Sequence, residues 1–324
     1  MNRRTRRTLL IVAAVLLLLA VAVFLRSKAP PEAARLLPES DGIIYINFAP
    51  LRAFAHLKHL PPPHRVPDYQ EFVDATGIDW ERDVDQAAIA LHRMPDPNGP
   101  NGPVAYSMVL AGRITGKRLN AWLDAHAASR ESYLGHTIYS IFSEGRTVRV
   151  VQIGYDMVAV SNTPTTEQIH SILDRHRTAA LPFSGSSLLG QHFHEVPLLS
   201  LAWGVGQIGL PFSESGTIHV LGFALPLASD STIVASAAPA FPVPGSLEAI
   251  HLRVEEIAPN ADTAASQDAA LGTLITVARG VSGPPGKSKA DEFLADLLKT
   301  AEVTQHGERV VVTATLPANF LTGH

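Results

Sequence analysis

The chain has 324 residues, with 26 basic against 30 acidic side chains for a formal charge of −4, and it has no cysteine. Disulfides, thiolate metal sites and a cysteine nucleophile are thereby excluded, and the fold has to be held by its apolar core. Setting aside positions 1–28, which carry six basic residues and no acids, leaves 20 basic and 30 acidic side chains. Without a basic patch, that remainder is no nucleic-acid binder.

Leu9 to Leu25 form an unbroken apolar run, preceded by Arg3, Arg4, Arg6 and Arg7 and followed by Arg26 and Lys28. At about 1.5 Å per residue a helix over this run covers roughly 26 Å, near the ~30 Å hydrocarbon core of a bilayer. Basic flanks stay on the cytoplasmic side. Residues 1–28 therefore read as a signal anchor with a transmembrane helix at about 9–25. This expectation places the protein in the bacterial inner (cytoplasmic) membrane, single-pass, with the N-terminus cytoplasmic and the C-terminal domain extracytoplasmic. Ala20-Val21-Ala22 supports a competing reading as a cleaved signal peptide, against which the apolar run continues through Val23, Phe24 and Leu25. Thr5-Arg6-Arg7-Thr8-Leu9-Leu10 also resembles a twin-arginine export signal, although its apolar stretch is more hydrophobic than such signals usually are.

Ala29 to Arg35 is a Pro/Ala-rich spacer, too polar and proline-broken to continue a membrane helix. Gly42 to Phe48 predicts a strand rich in β-branched and aromatic residues, followed by a helical turn at Leu51 to Leu57 and a helix at Asp68 to Thr76 that Gly77 ends. Ala87 to Leu91 and Val104 to Gly112 predict an antiparallel pair joined by a proline- and glycine-rich surface loop over 95–103. Leu119, Trp122, Leu123 and His126 share one helical face and predict a helix packed on the sheet. Strands follow at Thr137 to Ile141, Val148 to Ile153 and Met157 to Ser161, the last two joined through the turn Gly154-Tyr155-Asp156. Thr163 and Pro164 then read as the N-cap and first position of a helix running to about His176.

Leu181 to Gly190 marks a boundary zone, after which the same mixture of elements returns in a different order. Strands are expected at Leu198 to Val205, Ile218 to Leu225, Thr232 to Ala237 and Leu247 to Ile257, with Pro239, Pro242 and Pro244 breaking the chain between the last two. Leu271, Leu274, Ile275, Ala278 and Val281 mark one helix face, and Phe293, Leu294, Leu297 and Leu298 another. A closing hairpin turns at His306-Gly307. The expected fold class is α+β: an N-terminal transmembrane helix followed by two antiparallel-sheet-plus-helix halves, residues 36–180 and 181–324.

Familiar catalytic templates fail on this chain. Gly283-Pro284-Pro285-Gly286-Lys287-Ser288 ends like a P-loop, yet Val281 stands where its first glycine belongs and two prolines remove amide donors, so no nucleotide is expected. Asp79, Glu81, Asp83 and Asp85 alternate like a calcium loop, but Val84 replaces its glycine and Leu91 its closing glutamate. Ser184 to Gly190 holds no G-x-S-x-G, and serine ahead of an apolar run more often caps a helix. His56, His59 and His64 form one candidate metal group, and His192, His194 with Glu195 another, although Leu198 stands where a second zinc histidine would be needed. His251, Arg253 and Glu255 alternate along one strand face as a candidate ligand patch, for which a solvated sheet face is the commoner explanation.

Leu37-Pro38-Glu39-Ser40-Asp41 with Tyr45, Asn47 and Leu51, then Thr76-Gly77-Ile78-Asp79, Arg82-Asp83-Val84-Asp85 and the hairpin through Gly307 to Pro317, resembles uncharacterised bacterial membrane-anchored envelope proteins grouped as domains of unknown function. The resemblance implies an exported α+β domain and transfers no catalytic residue. The expectation is a non-catalytic, membrane-anchored extracytoplasmic binding or scaffold protein without a cofactor. Its partners would be the lipid bilayer, through the N-terminal helix, and another envelope protein. The alternative is a metal-dependent enzyme or metal-binding envelope protein using a histidine cluster.

Overall fold

The computed structural model describes residues 29–317 apart from 55–66, 115, 144, 179–184, 208–216, 221–222, 227–229, 241–248 and 282–288. The first element is a helical turn, α1 (Glu32–Arg35), begun by Pro31 at φ −54° and ψ 146°. Ala33 and Ala34 are fully buried. Residues expected as spacer are therefore core, because alanine's single methyl lets the turn lie flush on the sheet. Next come β1 (Gly42–Asn47), α2 (Phe48–Phe54), α3 (Pro67–Thr76) and the short α4 (Trp80–Asp83), whose Asp79 cap accepts from the Glu81 amide. β2 (Val84–Arg93) and β3 (Val104–Gly112) flank the proline-rich loop, and α5 (Gly116–His126) follows.

β4 (Ser129–Tyr133) is polar and carries no apolar alternation, so only its ladder to β5 (His136–Ser143) reveals it. β6 (Arg146–Ile153) and β7 (Met157–Ser161) lead to α6 (Glu167–Arg177), which starts later than the Thr163-Pro164 signal implies. The Thr163 hydroxyl is bonded to Ser161 Oγ at 2.8 Å and donates to the Thr165 carbonyl at 3.1 Å, while Arg149 donates to the Thr163 and Pro164 carbonyls. Those bonds hold the segment out of the helix.

The remaining elements are α7 (Ser187–His192) with a 3-10 turn at Phe193–Glu195, β8 (Ala202–Gln207), β9 (Thr217–Val220), β10 (Phe223–Pro226), β11 (Thr232–Ala240), β12 (Ala249–Ile257), α8 (Ala261–Val281), α9 (Lys289–Thr300), β13 (Glu302–His306) and β14 (Arg309–Pro317). Ser186 caps α7, its Oγ accepting from the Leu189 amide. The single strand expected over 218–225 is instead the hairpin β9–β10, a separate two-stranded sheet. Pro239 lies inside β11 rather than ending it. Pairing with β8 stops at Ala237, so β11 has a free edge there, the place where a strand tolerates proline.

Two of the fold-class expectations are corrected here. The other twelve strands form one continuous antiparallel sheet in the order β13-β14-β12-β11-β8-β1-β2-β3-β7-β6-β5-β4, so the chain does not build two separate sheets. The join is the β1–β8 ladder, from Gly42 opposite Gly206 to Ile46 opposite Ala202. Among the described residues, no helix is long and apolar enough to cross a membrane, and the stretch read as a transmembrane helix, residues 9–25, lies outside them.

Element order is also not scrambled between the halves. Outward from the join, one side runs β1, β2, β3, then β7 and β6; the other runs β8, β11, β12, then β14 and β13. Each central strand is preceded by a short helix, and the third strand of each series is followed by helix before the chain returns beside it. The halves are thus related by an approximate two-fold axis normal to the sheet. Glu39 ties them together, accepting from Arg175 of α6 at 2.7 Å and from the Ser187 amide and hydroxyl of α7 at 2.9 and 2.6 Å.

Both faces of the sheet are covered, which is why many of its strands are apolar on both sides. One face, called A here, carries the main core: Ile43, Tyr45, Ala88, Val109, Ile138, Val151, Ala159, Trp203 and Val234 under α1, α6 and α7. Tyr45 stacks on Trp203 at 5.3 Å, and burial pushes the Tyr45 hydroxyl up to about 12. The opposite face, B, carries α3 and α5 over the first half and α8 and α9 over the second.

Candidate functional site

Face B of β3, β5, β6 and β7 presents Tyr106, Met108, Leu110, Ile141, Val148, Val150, Val158 and Val160, and α3 and α5 approach it with Phe72, Leu119, Trp122 and Leu123. The helices touch the strands through Leu119, Leu123, Tyr139 and Val158. Between them lies a partly open cavity of about 490 Å³ whose lining is almost wholly apolar. Aromatic rings hold the roof: Phe72 stacks on Trp80 at 6.0 Å and meets Trp122 edge-on at 5.1 Å, and Trp122 stacks on His126 at 4.2 Å. Trp80 is 38% exposed at the rim. The volume lies in the range of small-molecule sites, which are mostly apolar with few polar groups.

The polar groups singled out in the sequence fall elsewhere. His56, His59 and His64 lie outside the described residues. His192, His194 and Glu195 sit at the end of α7 and in its 3-10 turn, on face A, while His251, Arg253 and Glu255 occupy face A of β12. The two groups are brought together by Arg309 of β14, which local sequence patterns do not reveal. Its guanidinium holds Glu195 with two parallel bonds of 2.8 Å and reaches Glu255 at 2.6 Å. Arg253 takes the other Glu255 oxygen at 2.6 Å, and His194 Nε2 lies 3.0 Å from Glu195. His251 stands apart, exposed, with Nδ1 3.1 Å from Thr315 Oγ1.

Hydrogen bonds from Arg309 hold the Glu195 carboxyl below the usual range, against the upward push of burial. The same two carboxylates raise Arg309. Burial lowers His192, keeping its imidazole neutral, and the Glu195 charge opposes that only in part. Both carboxylates are occupied by arginine, so neither offers a free base or a ligand oxygen pair. Among the described residues, no group of three or more histidines and carboxylates is arranged to hold a metal. The arrangement is a clamp between α7 and the β12–β14 ladder.

A second polar constellation on face A escaped the sequence analysis. His92 Nε2 lies 3.0 Å from Ser107 Oγ, Ser107 lies 3.0 Å from Ser161, and Ser161 lies 2.8 Å from Thr163. A serine beside an imidazole is the start of a nucleophilic dyad. Here Ser107 has no exposure, its hydroxyl is shared with Ser161, and the cavity lies on the other side of the sheet. Burial lowers His92, with Asp41 opposing. The chain satisfies buried polar groups and has no access for a substrate.

No protein family and no curated protein matches the chain. Among solved structures, crystal forms III, I and IV of TP0453 match with TM-scores of 0.48, 0.47 and 0.47 at 12%, 12% and 11% identity. Each covers 91% of this chain, and 97%, 97% and 96% of the respective TP0453 chains is covered.

Proposed function

We propose that the protein is a non-catalytic binding protein that holds an apolar molecule in the cavity between α3, α5 and face B of the first half. The observation that carries this reading is a volume of about 490 Å³ walled by valine, leucine, isoleucine, methionine and aromatic side chains. Water gains few hydrogen bonds there, whereas an apolar guest recovers the contacts the walls lack. Two further observations support a binding role: the carboxylates of the clamp are consumed by arginine, and the His92–Ser107 pair is sealed. The proposal extends to location, on the extracytoplasmic side of the bacterial inner membrane, resting on the basic and apolar pattern of residues 3–28. An alkaline phosphatase fused after His324 should be active, and an inactive fusion would refute that part.

Binding is tested with the full chain in nanodiscs and the neutral fluorophore N-phenyl-1-naphthylamine, after subtraction of empty nanodiscs. Saturable binding at one site per chain is expected. Val150→Trp, which fills the floor of the cavity, should abolish that component while circular dichroism stays unchanged. A signal that never saturates, or one that survives Val150→Trp, overturns the reading.

A further inference from the structure

One end of the cavity differs from the rest. Ser143 and Arg146 face each other directly across the β5–β6 hairpin, two pairs beyond Ile141 and Val148. Directly opposed residues project from the same face of a sheet, with Cβ atoms about 5 Å apart. Since Ile141, Ser143 and Val148 line the cavity, Arg146 stands on the cavity face, at its end. Its position is confirmed from the far side: a Cβ built on Gly102, in the loop leading to β3, would lie 3.8 Å from Arg146 Nη2. The guanidinium therefore reaches across that end toward the β3 strand, where Tyr106 also lines the cavity.

Arg146 is half-buried and has no hydrogen bond or ion pair among the described residues; Glu144 lies outside them. Every other half-buried arginine there is engaged. Arg52 binds the Val84 carbonyl and Asp85, Arg149 the Thr163 and Pro164 carbonyls, and Arg175 Glu39. Arg253 and Arg309 bind the clamp carboxylates. A fixed positive charge left unpaired beside an apolar cavity is a site for an anion with an apolar tail, because guanidinium donors match carboxylate and phosphate oxygens. From Arg146 to Gln152, opposite Val158, the strand runs six residues, about 20 Å, enough for an extended single chain.

We infer that the cavity takes a single-chain anionic amphiphile, its head held by Arg146 at the Ser143 end and its chain lying along the apolar floor, an inference that rests on the cavity reading above. Headgroup recognition thus comes from one hairpin, and chain recognition from the sheet and the helices over it.

The test displaces N-phenyl-1-naphthylamine from the full chain in zwitterionic nanodiscs with dodecanoate, dodecyl phosphate, 1-dodecanol and dodecyltrimethylammonium. The two anions are expected to compete at least tenfold more strongly than the alcohol, and the cation more weakly than the alcohol. Arg146→Gln should erase the preference for the anions and leave 1-dodecanol unchanged. Arg146→Lys, which keeps the charge and loses the fork, should retain part of it. Equal competition by anions and alcohol, an anion preference that survives Arg146→Gln, or no displacement by any of the chains overturns the inference while leaving the apolar cavity in place. Absence of saturable fluorophore binding overturns the cavity reading itself, so the two failures are distinguishable.

Discussion

Replacing Arg309 by methionine keeps much of the side-chain bulk and removes the charge that joins Glu195 to Glu255. Glu255 is 2% exposed and Glu195 13% exposed at the side chain. Removing one partner of a buried pair usually costs about 3–5 kcal/mol, because the remaining charge stays desolvated. Arg309 is itself 40% exposed, and Arg253 and His194 still face the two carboxylates, so water and these neighbours reduce the loss. We expect about 2 kcal/mol, read at pH 7 as a fall of roughly 0.5–1 M in the urea midpoint of the full chain by circular dichroism. The pH dependence fixes the cause. Glu195 is held below its unfolded value, so its contribution is complete above the unfolded pKa of about 4.3 and is lost as pH falls through the lower folded value. The gap between wild type and Arg309→Met should therefore narrow below about pH 4. Fluorophore binding should not change, because the clamp is in the other half and on the other face. A midpoint unchanged at pH 7, a gap that stays constant into acid, or loss of fluorophore binding would refute this account.

Gly112 and Gly116 make a matched pair. A Cβ on Gly112 would run into the Asp83 carbonyl and lie 2.8 Å from the Asp85 amide, backbone that the β2 irregularity at Val84 and Gln86 brings close. Gly112→Ala should cost more than about 2 kcal/mol by thermal or urea unfolding. The atoms nearest a Cβ on Gly116 are the side-chain carboxamide of Gln152, which can swing away at the loss of its bonds to Asn120 and Gly154, so Gly116→Ala should cost less than Gly112→Ala, helped by alanine's helix propensity. His92 and His192 are both lowered mainly by burial, and a histidine that is neutral when folded makes stability complete above pH ~6.5 and weaker as pH falls below it. Urea midpoints from pH 7.5 to 5.5 should decline, and His92→Asn should flatten part of the slope. Ser186→Ala, which removes the α7 cap to the Leu189 amide, should cost about 1 kcal/mol in the same assay.

Strands and turns are legible in this sequence where local chemistry is strong. Val104–Gly112 and Met157–Ser161 carry the β-branched and apolar residues expected of strands, and the turns at Gly154 and Gly307 form with φ of +60°. β4 is not legible, because Ser129 to Tyr133 takes its strand conformation from β5 rather than from its own composition. The continuity of the sheet is equally hidden. It depends on Ile44 meeting Gly204, residues far apart in sequence, and a glycine-rich strand such as β8 carries little side-chain pattern. The candidate site was half legible: Leu119, Trp122 and Leu123 announce a buried helix face, but periodicity cannot say whether that face is filled by the sheet or stands off from it. The charged groups were legible as groups and misleading as chemistry, since Arg309, which satisfies Glu195 and Glu255, comes from a strand with no local tie to either.

The approximate two-fold relation sharpens what the cavity means. In the second half, α8 covers the same face of β13 and β14 as α5 covers in the first half. There the contact is made by Ala258, Ala264, Leu271 and Val310 with Val303 and Val312 beside them. Alanines let that helix settle close to the strands. In the first half the corresponding layer is built from Phe72, Trp122, Leu119 and Leu123, larger side chains that meet the strands at Tyr139 and Val158 and line the cavity beside that contact. The same topology therefore carries an alanine-lined contact on one side and an apolar cavity on the other. A fold seeking only stability gains from the first solution, since every unfilled cubic ångström weakens the core. The cavity, with Arg146 at one end and no partner for it among the described residues, departs from that solution in the way the proposed binding role requires.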